Sequence, residues 1–249
     1  IYELARKKPS QFGKKEESYN HIIFISRDNQ NKTIKNKWKK DQIIHYIKWN
    51  DNINSLQKKC DEILQDFYSN EIRVIRKKQL KSCKKDSKKF IKENFGIDIC
   101  VPDKYRVAKK QDNLFIADFE EMKARQFINK DTKKKVKSTS QVTKYILVFK
   151  VKERGVKTQK KMIHHINKAL KKIPTQKGSS VKIDERFAID SAGSIYKGIW
   201  RVENTSSPMA GSFVLKEYNQ KKQKVFSVGL VYAPSEKKRS FIMRFEALL

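Results

Sequence analysis

The 249-residue sequence has no run of about 18 apolar residues, so nothing in it reads as a membrane-crossing helix. Its opening residues, IYELARKKPSQFG, lack the apolar core of a signal peptide. That leaves a cytosolic chain or one that has lost its leader. Cysteines are few. Cys60, Cys83 and Cys100 stand 23 and 17 positions apart, which fits neither a zinc site nor a CxxC redox pair. Buried free thiols are the expectation. One disulfide with a leftover thiol is the alternative in an oxidising compartment. The four histidines offer no metal set. His21 and His45 fall on separate strands, and His164 and His165, adjacent on a helix, point about 100° apart. No GxSxG turn or Gly-rich phosphate loop occurs, and GSSVK (Gly178–Lys182) lacks the spacing of a P-loop. Neither an RNP-type aromatic motif nor a GxxG clamp is present. Asp184, Glu185 and Asp190 come nearest to a carboxylate set and read as surface charges. The sequence thus nominates no catalytic residue, no metal ligand and no cofactor, and a non-enzymatic protein is the expectation.

Acidic residues are also scarce. Asp and Glu number 27 against 58 Lys and Arg, for a net charge of +31. A field of that sign attracts nucleic acid or anionic lipid without any specific site. The basic residues are 47 Lys and 11 Arg, and Ile outnumbers Leu by 26 to 11. Both biases are those of an AT-rich coding genome. A chain selected for phosphate recognition keeps Arg, whose fork binds phosphate bidentately. Compositional drift is therefore the leading reading. A cytosolic nucleic-acid-binding protein is the alternative, with non-specific contact the only kind the sequence suggests.

What is present folds. Apolar residues make up 38% of the chain and aromatics 10%, enough for a core. NHIIFIS (Asn20–Ser26) and DQIIHYIKW (Asp41–Trp49) read as strands joined by the polar link NQNKTIKNKWKK. Ile53, Leu56, Cys60, Ile63, Leu64 and Phe67 keep helical spacing, with Asn50 or Asp51 as cap and an end near Leu80. A second helix covers Asp86–Asn94, stopped by Gly96. GIDICVP, YRVAKK and NLFIADF read as a meander with a turn at Gln111–Asn113. The segment from Lys130 reads as a loop or link. KYILVFKVK is a strand. TQKKMIHHINKALKKI is a helix presenting Met162, Ile166, Ala169, Leu170 and Ile173. VKIDERFAID is extended and SAGS a turn. Three antiparallel strands follow, Ser194–Glu203, Ser212–Tyr218 and Lys224–Tyr232. A final helix, capped by Ser235, carries Phe241, Ile242, Phe245 and Leu248. The fold class is α+β, antiparallel meander sheets packed with amphipathic helices. A strand–cap–helix pattern, seen at IIHYIKWNDNINSLQ and again at SVGLVYAPSEKKRSF, hints at two related lobes. The expected division is a first lobe at 1–129, a lysine-rich link at 130–143 and a second lobe at 144–249.

In GIWRVENTSSPMAGSFV, Trp200 and Val202 face one way on a strand, and Ile199, Arg201 and Glu203 the other. Trp200 belongs in a core. Asn204–Pro208 is turn chemistry, and Gly211 permits a positive φ or a close backbone approach. Met209 and Arg201 are the candidate partner contacts, Met209 as an adaptable apolar side chain.

From Gly198 to Leu249 the sequence resembles the C-terminal part of a family of uncharacterised lipoproteins of Bacteroidetes-type bacteria, a domain-of-unknown-function family. The resemblance rests on Gly198, Trp200, Met209, Ala210, Gly211, Phe213, Gly229, Val231, Tyr232, Ala233, Pro234, Lys238, Arg239, Phe241, Phe245, Glu246 and Ala247. DQIIHYI, NEIRVIRKKQL and FGIDICVPDKYRVAKKQDNLF extend it more loosely upstream. Ser212 stands where the family usually has Pro, and Asn167-Lys168 where it tends to have Arg-Asp. The resemblance implies a periplasmic, lipid-anchored protein of the cell envelope. Its partner would be a protein or another envelope component, and none of the three cysteines matches the family's lipid-bearing one.

Overall fold

The computed structural model describes residues 13–249 apart from 29, 129–134, 153–157, 176–177, 186–189, 193–194, 206–208, 221–222 and 235. The chain forms two compact units, Ile1–Val74 and Ile75–Leu249. This differs from the expected division at 129 and 144, because strands on both sides of that division share one sheet.

The first unit begins with α1 (Lys14–Glu17), β1 (His21–Ser26), β2 (Lys32–Lys35) and β3 (Ile43–Lys48), followed by α2 (Ile53–Gln79), whose last residues belong to the second unit. The strands are ordered β1-β3-β2, with β1 parallel and β2 antiparallel to β3. Ile43 and Ile47 of β3 pack on Ile63 and Phe67 of α2. This is the helical stripe expected from the spacing. The cap is Asn52, however, whose Oδ1 accepts the Ser55 N–H at 3.0 Å. β2 lies within the segment expected as a polar link. Its one apolar residue, Ile34, gave no alternation to read, and pairing with β3 makes it a strand.

The second unit continues with a 3-10 turn (Leu80–Ser82) and α3 (Lys85–Phe95). β4 (Arg106–Gln111), β5 (Leu114–Ile128), β6 (Lys135–Lys152) and α4 (Gln159–Leu170) follow. The chain ends with β7 (Ser180–Ile183), β8 (Asp190–Ala192), β9 (Ile195–Glu203), β10 (Ala210–Gln220), β11 (Gln223–Tyr232) and α5 (Arg239–Leu248). The eight strands form one antiparallel sheet ordered β4-β5-β6-β11-β10-β9-β7, with β8 also paired to β9. Together with the helices this gives the α+β architecture.

The sheet is covered on both faces. Side chains at odd and even positions of a strand point opposite ways. Phe115 and Ala117 of β5 and Ile146 and Val148 of β6 therefore join Ile91 and Phe95 of α3 and Phe241, Phe245 and Leu248 of α5 on one side. Leu114, Ile116, Leu147 and Phe149 join Met162, Ile166 and Leu170 of α4 on the other. Two-sided burial explains why YILVF and VFSVGLV read as unbroken apolar runs. α3 ends as expected at Gly96, whose φ is 66°. Thr158 caps α4, its Oγ1 accepting the Lys161 N–H at 3.3 Å.

Other expectations are corrected, or decided for their stated alternative. GIDICVP is not a strand. Ile97, Ile99 and Val101 alternate inward, but they plug the α3 side of the core from an irregular segment joined only by a bridge between Cys83 and Pro102. The lysine-rich segment is in large part strand. β6 starts at Lys135 and pairs with β5 out to Ile128, and β-branched Val136, Thr139, Val142 and Thr143 suit it to that role. Cys83 and Cys100 form a disulfide with Cα atoms 5.4 Å apart, and Cys60 remains a half-buried free thiol. α5 starts at Arg239 after Lys238. Ser235, expected as its cap, lies outside the described residues, as do Gly193 and Ser194 of the expected SAGS turn. The two strand–helix repeats lie in different sheets, β3 in the small one and β11 in the large one.

The sheet's β4 edge carries a register shift between Val107 and Lys109. It presents exposed Arg106, Val107 and Lys110. Arg106 is tied back to β5 through a two-pronged contact with the Asp118 carboxylate, 3.1 and 2.6 Å.

Candidate functional site

The residues that carry the family resemblance converge where β9, β10, β11 and α5 meet. Trp200 is 1% exposed on the α4 side of the sheet. Burying an indole of this size contributes on the order of 4–6 kcal/mol. Gly211 is directly opposite it on β10. A Cβ there would overlap the Val231 carbonyl oxygen and crowd the indole nitrogen. The bare glycine lets the indole cross β10, where Nε1 donates to Val231 O at 3.3 Å. Of the two roles expected for Gly211, the close approach is the one observed. Phe213 packs with Trp200 in the same cluster, and Gly198 is its partner on β9.

Gly229 does the same work on the opposite face. A Cβ there would overlap the Phe245 ring of α5. Glu246, one residue on, has its carboxylate nearly buried and paired with Lys197 of β9 at 2.7 Å. Lys238 precedes α5 and donates to the Ala233 and Glu236 carbonyls, closing the turn that contains Pro234. Tyr232 is half-buried against the α4-side core, and Arg239 is exposed on the first turn of α5. The resemblance therefore consists largely of devices that join one helix to a three-stranded patch of sheet.

Arg201 and Met209 border this patch. Arg201 Nη1 donates to Asp184 Oδ2 at 2.7 Å, and Nη2 to Glu203 Oε1 at 3.1 Å. Lys182 also pairs with Glu203. The Lys182 ammonium, with Arg201 beside it, holds the Glu203 carboxyl below the usual carboxylate range. Asp184 was expected as a surface charge. It is 5% exposed and paired with Arg201. Met209 is half-buried and its carbonyl accepts the Val202 N–H at 2.8 Å. Ile199, 38% exposed, lies beside Ser212 on the face that also carries Arg201 and Ala210. The result is a small shelf, apolar in the middle and charged at one end.

Sequence reasoning missed a second ionic cluster. Lys144 on β6 is almost buried, 3.3 Å from Glu121 of β5. Its ammonium lies 4.7 Å from the Phe119 ring centre and 5.2 Å from that of Phe241. Burial lowers its pKa and Glu121 opposes the shift. Lysine at alternate strand positions signals a solvent face, so nothing in the local pattern marks this one as interior. Among the described residues, no group of three or more His, Cys, Asp or Glu side chains is arranged to hold a metal ion. No helix among them is long and apolar enough to cross a membrane.

The chain matches a domain of unknown function, DUF4837, over residues 84–249. The match lies within the second unit and starts one residue after Cys83. No curated protein and no solved structure matches the chain.

Proposed function

The chain belongs to the DUF4837 family, and on that premise we propose that it is a non-enzymatic binding protein of the bacterial cell envelope, normally lipid-anchored, which acts by holding a partner. The Cys83–Cys100 disulfide carries this reading. The cytosol keeps thiols reduced, whereas an extracytoplasmic compartment forms and preserves such bonds. The shelf of Ile199, Arg201 and Ala210, with Met209 at the strand end beside it, is the surface proposed for the partner.

Thiol trapping on intact cells, followed by fractionation, tests the compartment. Cys60 should react with a blocking reagent at once, and Cys83 and Cys100 only after reduction, in protein recovered with the envelope. Recovery from the cytosol with all three thiols reactive overturns the reading. Ile199→Ser combined with Met209→Ala tests the shelf, because neither change breaks an ion pair. Partner capture should fall while the melting temperature stays near that of the parent. Arg201→Ala is the poorer probe, since it removes a charge partner of the buried Asp184 carboxylate and so lowers stability as well as contact.

A further inference from the structure

Charge on this chain is spread widely, but one stretch concentrates it. From Arg76 to Lys92, nine of 17 residues are Lys or Arg, and only Asp86 is acidic. The stretch comprises the end of α2, the 3-10 turn and the first two turns of α3. On α3, Lys85, Lys88, Lys89 and Lys92 follow i, i+3, i+4, i+7 spacing and share one face. The helix's buried residues are Ser87, Ile91 and Phe95. Arg76, Lys78, Lys81, Lys85, Lys89 and Lys92 are all exposed. Two stripe lysines have acidic neighbours, Lys88 with Asp98 at 3.1 Å and Lys89 with Glu93 at 4.0 Å. These offset only part of the charge.

The stretch is held rigidly. The Cys83–Cys100 disulfide pins its middle, and the Lys84 N–H donates to Val101 O and the Asp103 N–H to Ser82 O, both at 2.8 Å. Gln79 Nε2 donates to Arg244 O at 3.3 Å, which brings the end of α2 against α5 and its exposed Arg244.

We propose that the face formed by the end of α2, the 3-10 turn and α3 docks on an anionic lipid bilayer, its lysines lying among headgroup phosphates. Eight of its nine basic residues are Lys, compact point charges suited to a diffuse headgroup field. The Arg fork that grips individual phosphates is nearly absent. Its aromatics are turned away from any nucleobase. Phe95 is buried, and Phe90 packs on the core beneath the Lys110 ammonium, 4.6 Å from its ring centre. The choice of lipid over nucleic acid also rests on the extracytoplasmic compartment proposed above. The existence of the surface does not.

Sedimentation of the purified full chain with vesicles tests it, using phosphatidylcholine alone or mixed with phosphatidylglycerol. Binding should need phosphatidylglycerol and weaken steeply with salt. Replacing Lys78, Lys81, Lys85, Lys89 and Lys92 together by Gln should weaken partitioning by at least about 100-fold. The matched control replaces the five lysines between Lys160 and Lys172, a segment without acidic residues on the other side of the sheet. It should lose less than about threefold. Equal losses in the two variants mean that diffuse charge alone drives binding, and overturn the proposal. Tighter binding to duplex DNA at the same salt, lost with the same five lysines, also overturns it, in favour of a nucleic-acid surface. Lysine acylation of the unaltered protein needs no variant. Vesicles should protect the α3 lysines and leave those of α4 reactive, and the opposite pattern sinks the idea. A cytosolic, reduced protein would overturn the compartment reading without touching these vesicle results.

Discussion

Replacing the hydrogen of Gly229 by a methyl group would drive it into the Phe245 ring. Gly229→Ala should therefore destabilise the second unit by about 1–3 kcal/mol in urea unfolding. Phe245→Leu should relieve part of that cost, so the double variant should be more stable than the two single effects added together. His45 makes a different residue-scale prediction. Its imidazole is 5% exposed, with Nδ1 3.0 Å from Thr33 Oγ1 and Nε2 3.9 Å from an Asp66 carboxylate oxygen. Burial lowers its pKa below 6.5, Asp66 opposes this and Lys59 adds to it. The folded state thus holds the proton less tightly than the unfolded one. Its contribution to stability is complete above pH 6.5 and declines as the pH falls through 6.5 toward the lower folded value. Hydrogen exchange at β3 amides should accelerate from about pH 7.5 to 5.5, after correction for the intrinsic rate, and His45→Gln should flatten that dependence. At this scale the sequence revealed which residues matter better than why. Trp200, Gly211 and Gly229 stood out in the signature. Their reasons, an indole reaching across β10 and a ring seated on a bare backbone, depend on how neighbouring strands and the last helix pack, which local spacing does not show.

Among the elements, the disulfide closes the loop containing α3, with a sequence separation of 17. Constraining the unfolded chain over such a loop contributes about 3 kcal/mol. Reduction should lower the melting temperature of the second unit by roughly 6–12 °C. An unchanged melting curve after reduction would show that the bond adds nothing to stability. Helices α2, α3 and α4 and strands β9 to β11 were legible because apolar spacing, and for α3 the Gly96 stop, are local signals. β2, the irregular Ile97–Val101 segment and the outer part of β6 were not. Each is decided by what lies beside it. A four-residue strand needs a neighbour, an alternating segment without one is only a plug, and a lysine-rich run becomes strand when β5 extends alongside.

For the whole molecule, the family match and the compact unit begin at different places, residue 84 and Ile75. The difference has a physical consequence. A fragment starting at residue 84 loses Cys83, the Ser82 carbonyl that accepts the Asp103 N–H, and the Gln79 side chain that bonds Arg244 O. A 75–249 fragment keeps all three. It should unfold at higher urea than the 84–249 fragment, by about 3 kcal/mol in stability. A domain boundary drawn from sequence similarity alone would miss this, because the lost contacts are made by residues outside the match.

The β4 edge bears on solubility. A sheet of this width presents a terminal strand whose free N–H and C=O groups can template another chain. The offset at Ala108 breaks the spacing that a second strand would have to match, and Arg106 and Lys110 repel an equally basic copy. Deleting Ala108 would restore an even ladder and leave Val107 on an aligned edge. The altered protein should form oligomers at concentrations where the parent stays monodisperse in light scattering, and it should do so more readily as salt screens the lysines.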